Sequence, residues 1–326
     1  MRAFHFDDVQ SGLQLRTVPR PRPEQGQVVI RIKAAGLCHS DCFILRDDQY
    51  KMIMKRPIVL GHEVAGTVIE LGPGISNYEL GDRVVAGIPT HPVARDSFTK
   101  AIGLGYDGGY AEQAIAWVEN LIRIPSGVSF AQAAVATDSI ATAYHAVITE
   151  GRVGPDSTIA IVGLGGLGLP AIQIAAIHGA RVYAVDIDET KFPLARELGA
   201  VGCANSLDKF RDTAFDTAVD FAGAGITTAA AVNAVKPCGR VIVVGLAATQ
   251  MNLDTHAVIT RNITLQGSIG SSLEELKEVL RLIADGRLSP VLEEIPFDSI
   301  PQGLERLAQG NVTGRLFTDP TAFDRR

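Results

Sequence analysis

Three short segments carry side chains of the kinds that hold metal ions. Cys38 lies in Gly36-Leu37-Cys38-His39-Ser40-Asp41, His62 in Gly61-His62-Glu63-Val64-Ala65-Gly66, and Asp138 in Ala136-Thr137-Asp138-Ser139-Ile140-Ala141-Thr142. A thiolate, an imidazole and a carboxylate together suit Zn2+, and three protein ligands leave a fourth position open for a reacting molecule. Taken singly, each has a plainer use. Cys38 could be a small buried hydrophobe, His62-Glu63 a surface pair, and Asp138 the cap of the helix that follows. Their joint presence is what points to a metal.

A second constellation is the run Gly163-Leu164-Gly165-Gly166-Leu167-Gly168. The apolar stretch 158–162 before it reads as a strand, 169–178 after it as a helix, and 181–185 as the next strand. Asp186 closes that strand, 23 residues past Gly163. Strand, glycine turn, helix, strand and acid form a dinucleotide-binding arrangement. The first glycine makes the tight turn, the second admits a pyrophosphate to the backbone, and the third lets helix and strand pack closely. The helix N-terminus then faces the negative charge. The acid at 186 favours NAD, since it accepts hydrogen bonds from ribose hydroxyls and repels a 2′-phosphate.

The elements that must position these residues fall into two patterns. The first third is β-rich, with strands expected at 27–32, 64–71 and 83–86 and glycines and prolines at short intervals, as in a compact barrel. From about residue 133 the pattern changes. A helix near 191–198, a strand at 217–221, a helix at 227–235 and strands at 240–245 and 263–267 alternate as in a doubly wound parallel sheet. A helix is expected at 273–285. The tail from 290 holds a strand, a helix and a strand-like 314–317, and is expected to return to the N-terminal region. The 326 residues suffice for two cores. A net charge of −6 without a basic cluster excludes nucleic acid as an expected partner. No apolar run approaches a membrane span, and the N-terminus lacks a secretory signal core. Four scattered cysteines point to a reducing, cytoplasmic setting and not to a disulfide framework.

Together the motifs resemble the zinc-dependent medium-chain alcohol dehydrogenases over nearly the whole chain. The matching stretches are GLCHSD at 36–41, GHEVAG at 61–66, GDRV at 81–84, GGYAE at 108–112, TDSIATAYHA at 137–146, the glycine turn, and Gly314-Arg315. The resemblance implies an α/β fold made of a GroES-like β-rich catalytic domain (1–140 and 286–326) and a Rossmann domain (141–285). It implies one catalytic zinc held by Cys38, His62 and Asp138, with Glu63 a neighbouring carboxylate able to reach the metal. Many members have cysteine as the third ligand; Asp138 resembles the bacterial secondary-alcohol branch and its Thr-Asp-x-x-x-Thr motif. Ser40 matches the proton-relay hydroxyl, and Asp41 would orient a ligand from behind. The NAD-binding set would be His39, Thr142, Gly163, Gly165, Gly166, Leu167, Gly168, Asp186, Lys191, Gly245, Ser268 and Arg315, the last at the pyrophosphate. Phe43, Ile88 and Ile269, with the unusual segment 90–105, would line an apolar substrate pocket.

The implied reaction is hydride exchange between NAD(H) and an alcohol or its ketone or aldehyde, in a homodimer or homotetramer. Two departures from the family stand out. The lobe from Val85 to Tyr110 has no cysteine, so a second, structural zinc is not expected. Phe43 stands where many members have a relay histidine. The intact ligand set weighs against a relative that reduces C=C or C=N bonds, and against a non-catalytic NAD-binding protein.

Overall fold

The computed structural model describes residues 1–48, 52–94 and 98–322. Backbone packing divides the chain into two units, Met1–Ala141 with Gly270–Gly286 and Val291–Arg326, and Thr142–Ile269 with Arg287–Pro290.

The first unit is built on the long strand Gln27–Gly36. Antiparallel partners flank it: Glu63–Leu71 on one edge, Gln113–Trp117 and Arg315–Thr318 on the other. Beyond these, the sheet continues to Arg83–Ala86 and Leu121–Arg123 at one end and to Leu292–Glu294 at the other. A smaller sheet joins Leu13–Thr17, Arg2–Phe6 and Ile58–Val59. Phe6, Ile30, Ile32, Leu37, Ile44, Leu60, Tyr110 and Phe297 fill the core between them. Each such side chain contributes about 1.5–3 kcal/mol by leaving water. The tail does return: Phe317 pairs with Gly36 and Thr318 with Ala35, and the Leu37 amide donates to the Leu316 carbonyl at 2.9 Å. Glu63 lies directly across the ladder from Gly36. This one crossing therefore gathers the ends of the Cys38, His62 and Arg315 segments.

The helix Leu273–Ala284 lies with the first unit. Ser272 and Glu275 cap it reciprocally, and it buries Leu276, Val279, Leu280, Leu282 and Ile283. Leu273 and Leu276 cover Gly87, where a Cβ would collide with them. The sequence-based boundary at 285 falls at the far end of this helix.

The second unit is a six-stranded parallel sheet. Its spatial order is Ala200–Ala204, Arg181–Val185, Thr158–Val162, Phe215–Asp220, Val235–Val243, Thr264–Gly267. In order of sequence that is 3-2-1-4-5-6, the doubly wound Rossmann arrangement. Its central strands are almost continuously apolar because both faces are covered. Ala160, Val162, Val185, Phe215, Ala218 and Val241 form part of that core. Among the described residues, no helix is long and apolar enough to cross a membrane.

Candidate metal centre and nucleotide-binding turn

Cys38 is the residue before the short helix His39–Ile44 and caps it. Its sulfur accepts from the Ser40 amide at 3.4 Å, while Oδ2 of Asp41 accepts from the Cys38 amide at 3.1 Å. His62 enters on the residue preceding the strand Glu63–Leu71. Asp138 sits on a wide π turn, Ala136–Ile140, a distortion that recurs at functional sites because it re-aims side chains. Sγ of Cys38 is 3.1 Å from Oδ2 of Asp138, and Nε2 of His62 is 3.5 Å from that same oxygen. One donor atom from each of the three residues falls within 4.8 Å of the others. Zinc bonds of about 2.0–2.3 Å to S, N and O span such separations. Cys38 and His62 are buried, and the Asp138 side chain keeps 23% of its surface open.

Charge says the same. Cys38, Asp41, Glu63 and Asp138 bring acidic groups together, and Arg315 is a permanent cation in contact with Glu63 and Asp138. Burial opposes a charge on His62, but Asp41, Cys38 and Asp138 outweigh it and lift its pKa well above the ordinary imidazole value. Asp138 is moved the other way. Against burial, His62, Arg315 and Cys38 hold its carboxyl well below the usual range. A site whose ligands draw a proton onto His62 is a site for a cation, and a dication supplies that charge while taking the three donors. The residues present fit zinc.

The surroundings hold the ligands in place. Oδ1 of Asp41 lies 3.4 Å from Nδ1 of His62, on the side away from Asp138. Tyr110 donates its hydroxyl to Oδ2 of Asp41 at 2.7 Å, and both residues are completely buried. Burial and the Asp41 charge keep the Tyr110 pKa well above that of a free phenol. Glu63, counted with the metal ligands on sequence, is placed differently. Its two oxygens take Nε and a terminal nitrogen of Arg315 at 3.0 and 2.7 Å, and Oε1 also accepts the Ser139 amide at 3.1 Å. Burial raises the Glu63 pKa, and Arg315 pulls against it. The cluster of donor atoms forms without Glu63. Gly36 makes this seat possible, for a Cβ there would strike Oε2 of Glu63.

Arg315, expected at a pyrophosphate, is buried, chelates Glu63 and reaches Asp138 at 3.4 Å. The reason is electrostatic: a carboxylate as buried as Glu63 needs a bidentate cation. Ser40 is half-buried with its hydroxyl 3.5 Å from the Cys38 sulfur. His39 is exposed on the same helix, Phe43 is half-buried there, and Ile88 is buried. Of the segment 90–105, residues 95–97 lie outside the described residues.

In the second unit, the glycine turn joins Thr158–Val162 to the helix Gly168–Ile177. Gly163 has a φ of 90°, in the left-handed region. A Cβ on Gly168 would clash with the Gly163 carbonyl, while one on Gly165 would meet nothing within 4 Å. The middle of the turn is thus the open place where a diphosphate can approach. Gly166 and Leu167 are half-buried beside it. Asp186 accepts the Leu164 amide at 2.6 Å, the Asp188 amide at 2.9 Å and Lys191 Nζ at 3.1 Å. It therefore ties the second strand to the turn. Gly245 and Ser268 follow the fifth and sixth strands, at the carboxyl edge where open parallel sheets take ligands. Thr142 is buried at the start of this unit and Ile269 is exposed at its end. Residues with roles that sequence reading missed are Tyr110 and Ser139. The GGYAE stretch was visible, but nothing in it announces a partner 69 residues away.

Comparison with known proteins agrees with this geometry. Residues 24–126 match the alcohol dehydrogenase GroES-like domain and residues 166–285 the zinc-binding dehydrogenase family. An alcohol dehydrogenase of Geobacillus stearothermophilus is 30% identical, over 97% of this chain and 98% of its own. Among solved structures, the acetophenone reductase of Geotrichum candidum in complex with NAD superposes with a TM-score of 0.89 at 34% identity, covering 100% of this chain and 98% of that one. The alcohol dehydrogenase of the archaeon Aeropyrum pernix gives 0.89 at 28% identity, over 98% and 100%. A shared fold, a matching domain pair and a full set of metal donors lead to one conclusion: the chain belongs to the zinc-dependent medium-chain alcohol dehydrogenase family.

Proposed function

We propose that this enzyme interconverts a secondary or hydrophobic alcohol and its ketone. As a family member it is an NAD-dependent, zinc-containing oxidoreductase of alcohols and carbonyls. The observation that carries the reading is the convergence of Cys38, His62 and Asp138 with the Ser40 hydroxyl beside them. When bound, zinc supplies Lewis-acid polarisation of the substrate oxygen and NAD supplies the hydride acceptor. The chain's own residues do the rest. Cys38, His62 and Asp138 would hold the metal. Asp41 sets the imidazole of His62. Ser40, with its hydroxyl beside the Cys38 sulfur, would take the proton from the substrate hydroxyl, and Phe43 offers no second acceptor. Arg315 opposes the effect of burial on the Glu63 and Asp138 carboxyls and fixes both in place.

The preference for secondary alcohols is supported by an aspartate as third donor, by the apolar Phe43 and Ile88, and by similarity to a reductase of an aryl ketone. Four free cysteines fit a reducing cytoplasm. Metal analysis combined with NAD-linked turnover on paired primary and secondary alcohols tests the reading. About one zinc per chain and faster turnover of the secondary alcohols are expected. Preference for the primary alcohols overturns the substrate class, and a metal-free active enzyme overturns the mechanism.

A further inference from the structure

We propose that Tyr110 is a positioning residue of the metal centre: its hydroxyl fixes the Asp41 carboxylate, which sets both the His62 imidazole and the helix start that carries Cys38. The inference rests on the reading that Cys38, His62 and Asp138 hold zinc. Asp41 is completely buried, so its orientation depends on its hydrogen bonds. Oδ2 has two donors, the Tyr110 hydroxyl at 2.7 Å and the Cys38 amide at 3.1 Å. With Oδ2 anchored, Oδ1 is left facing Nδ1 of His62 at 3.4 Å. Among the described residues, neither of those two buried atoms has a hydrogen-bond partner elsewhere. They are reserved for each other, and a small rotation of the ring closes the bond. Without the phenol, Oδ2 keeps one donor, and the carboxylate is free to pivot about the Cys38 amide.

The tyrosine is itself firmly seated. Gly61, the residue before His62, has a φ of 92°, and a Cβ there would lie 2.5 Å from the Tyr110 ring. The Gly109 amide donates to the Gly61 carbonyl at 2.7 Å and the Tyr110 amide to the Leu60 carbonyl at 3.0 Å. The backbone bearing Tyr110 is thereby fastened to the backbone bearing His62, while its hydroxyl reaches the segment bearing Cys38. Two ligands on separate elements thus share one brace. A phenylalanine would fill the same space against Gly61 and lose only the oxygen that touches Asp41 at 2.7 Å and, more distantly, the Gly36 carbonyl at 3.4 Å.

The test is Tyr110→Phe in the full-length, zinc-loaded enzyme, read by the rate of zinc loss to an excess of chelator. Partners behind metal ligands are worth about 10–100-fold in metal affinity. Zinc loss about tenfold faster is expected, with a lower kcat, an unchanged KM for NAD and a shifted visible spectrum of the cobalt-substituted protein. Fluorescence of the single tryptophan, Trp117, monitors folding. In an Asp41→Asn background the same substitution should add little, because the two act in series. Unaltered zinc loss and an unaltered cobalt spectrum would reduce Tyr110 to a packing residue. Equal acceleration in the Asp41→Asn background would show that it does not act through Asp41. If the unsubstituted enzyme binds no zinc, the metal reading fails and this inference with it. If it binds zinc and Tyr110→Phe changes nothing, only the inference fails.

Discussion

At the scale of single residues, the metal centre separates two cysteines that look alike in sequence. Cys38 offers its sulfur to the cluster. Four residues on, the Cys42 thiol points at the Cys38 and Leu304 carbonyls, and burial pushes its pKa up to about 12. Cys42→Ser should therefore keep zinc and turnover, whereas Cys38→Ser and Asp138→Ala should lose both; metal content and kcat of the three variants check this, and a zinc-replete Asp138→Ala protein would reject the ligand. Ser40→Ala should slow alcohol oxidation about a hundredfold near neutral pH. Hydroxide bypasses the relay at higher pH, so the deficit should shrink there; a pH–rate profile parallel to that of the unsubstituted enzyme would rule out the role. His62 gives a third expectation. Its folded pKa in the metal-free protein is raised, so the stability its charge contributes is complete below the unfolded value of about 6.5 and is lost as pH rises through the folded value. Zinc needs the neutral ring. The rise in Tm on adding zinc should thus grow as the pH is raised above about 6.5, and a pH-independent rise would contradict the charge assignment.

At the scale of elements, Asp186, expected to meet a ribose, has a structural task as well. Bonded to the Leu164 amide and to Lys191, it is also the clasp between the second strand and the glycine turn. NAD should be preferred to NADP by about a hundredfold in kcat/KM, a gap near 3 kcal/mol. Asp186→Gly should narrow that gap mainly by harming NAD, since the turn loses its clasp as the charge is removed. Kinetics with both cofactors decide it, and equal kcat/KM in the unsubstituted enzyme would refute the assignment. The glycine turn, its flanking strands and the ligand motifs were legible in sequence because their signals are local: period, punctuation and residue type. The strand Leu13–Thr17 was not, for its alternation of leucine and polar residues runs over only five positions and it is a largely exposed edge. Nor was the π turn that aims Asp138, because its five residues have no composition of their own. The pairing of Arg315 with Glu63 was missed for a different reason. Both residues stood in recognisable motifs, but the partner of a buried charge is chosen by tertiary proximity, which spacing along the chain does not encode.

At the scale of the whole molecule, the last strand of the parallel sheet, Thr264–Gly267, has a strand neighbour on one side only among the described residues. Leu265 on it and Ile259 just before it are exposed. An edge of that kind seeks a partner, and a two-fold pairing of identical edges closes it. We expect a dimer or tetramer in solution; light scattering that gives 34.6 kDa would exclude it. The nesting of one unit inside the other also fixes an order of birth. Glu63 and its cation are 252 residues apart. At about 5–20 residues per second, roughly 10–50 seconds of synthesis separate them. By then the stretch from Thr142 to Ile269 has emerged in one piece, with every strand of its sheet. The three metal donors have been made earlier still, whereas Glu63 has no Arg315 to meet until the chain is almost complete. The centre thus receives its donors early and its permanent cation last, so a truncation just short of Arg315 would leave a full set of donors beside a buried carboxylate with no guanidinium to hold it.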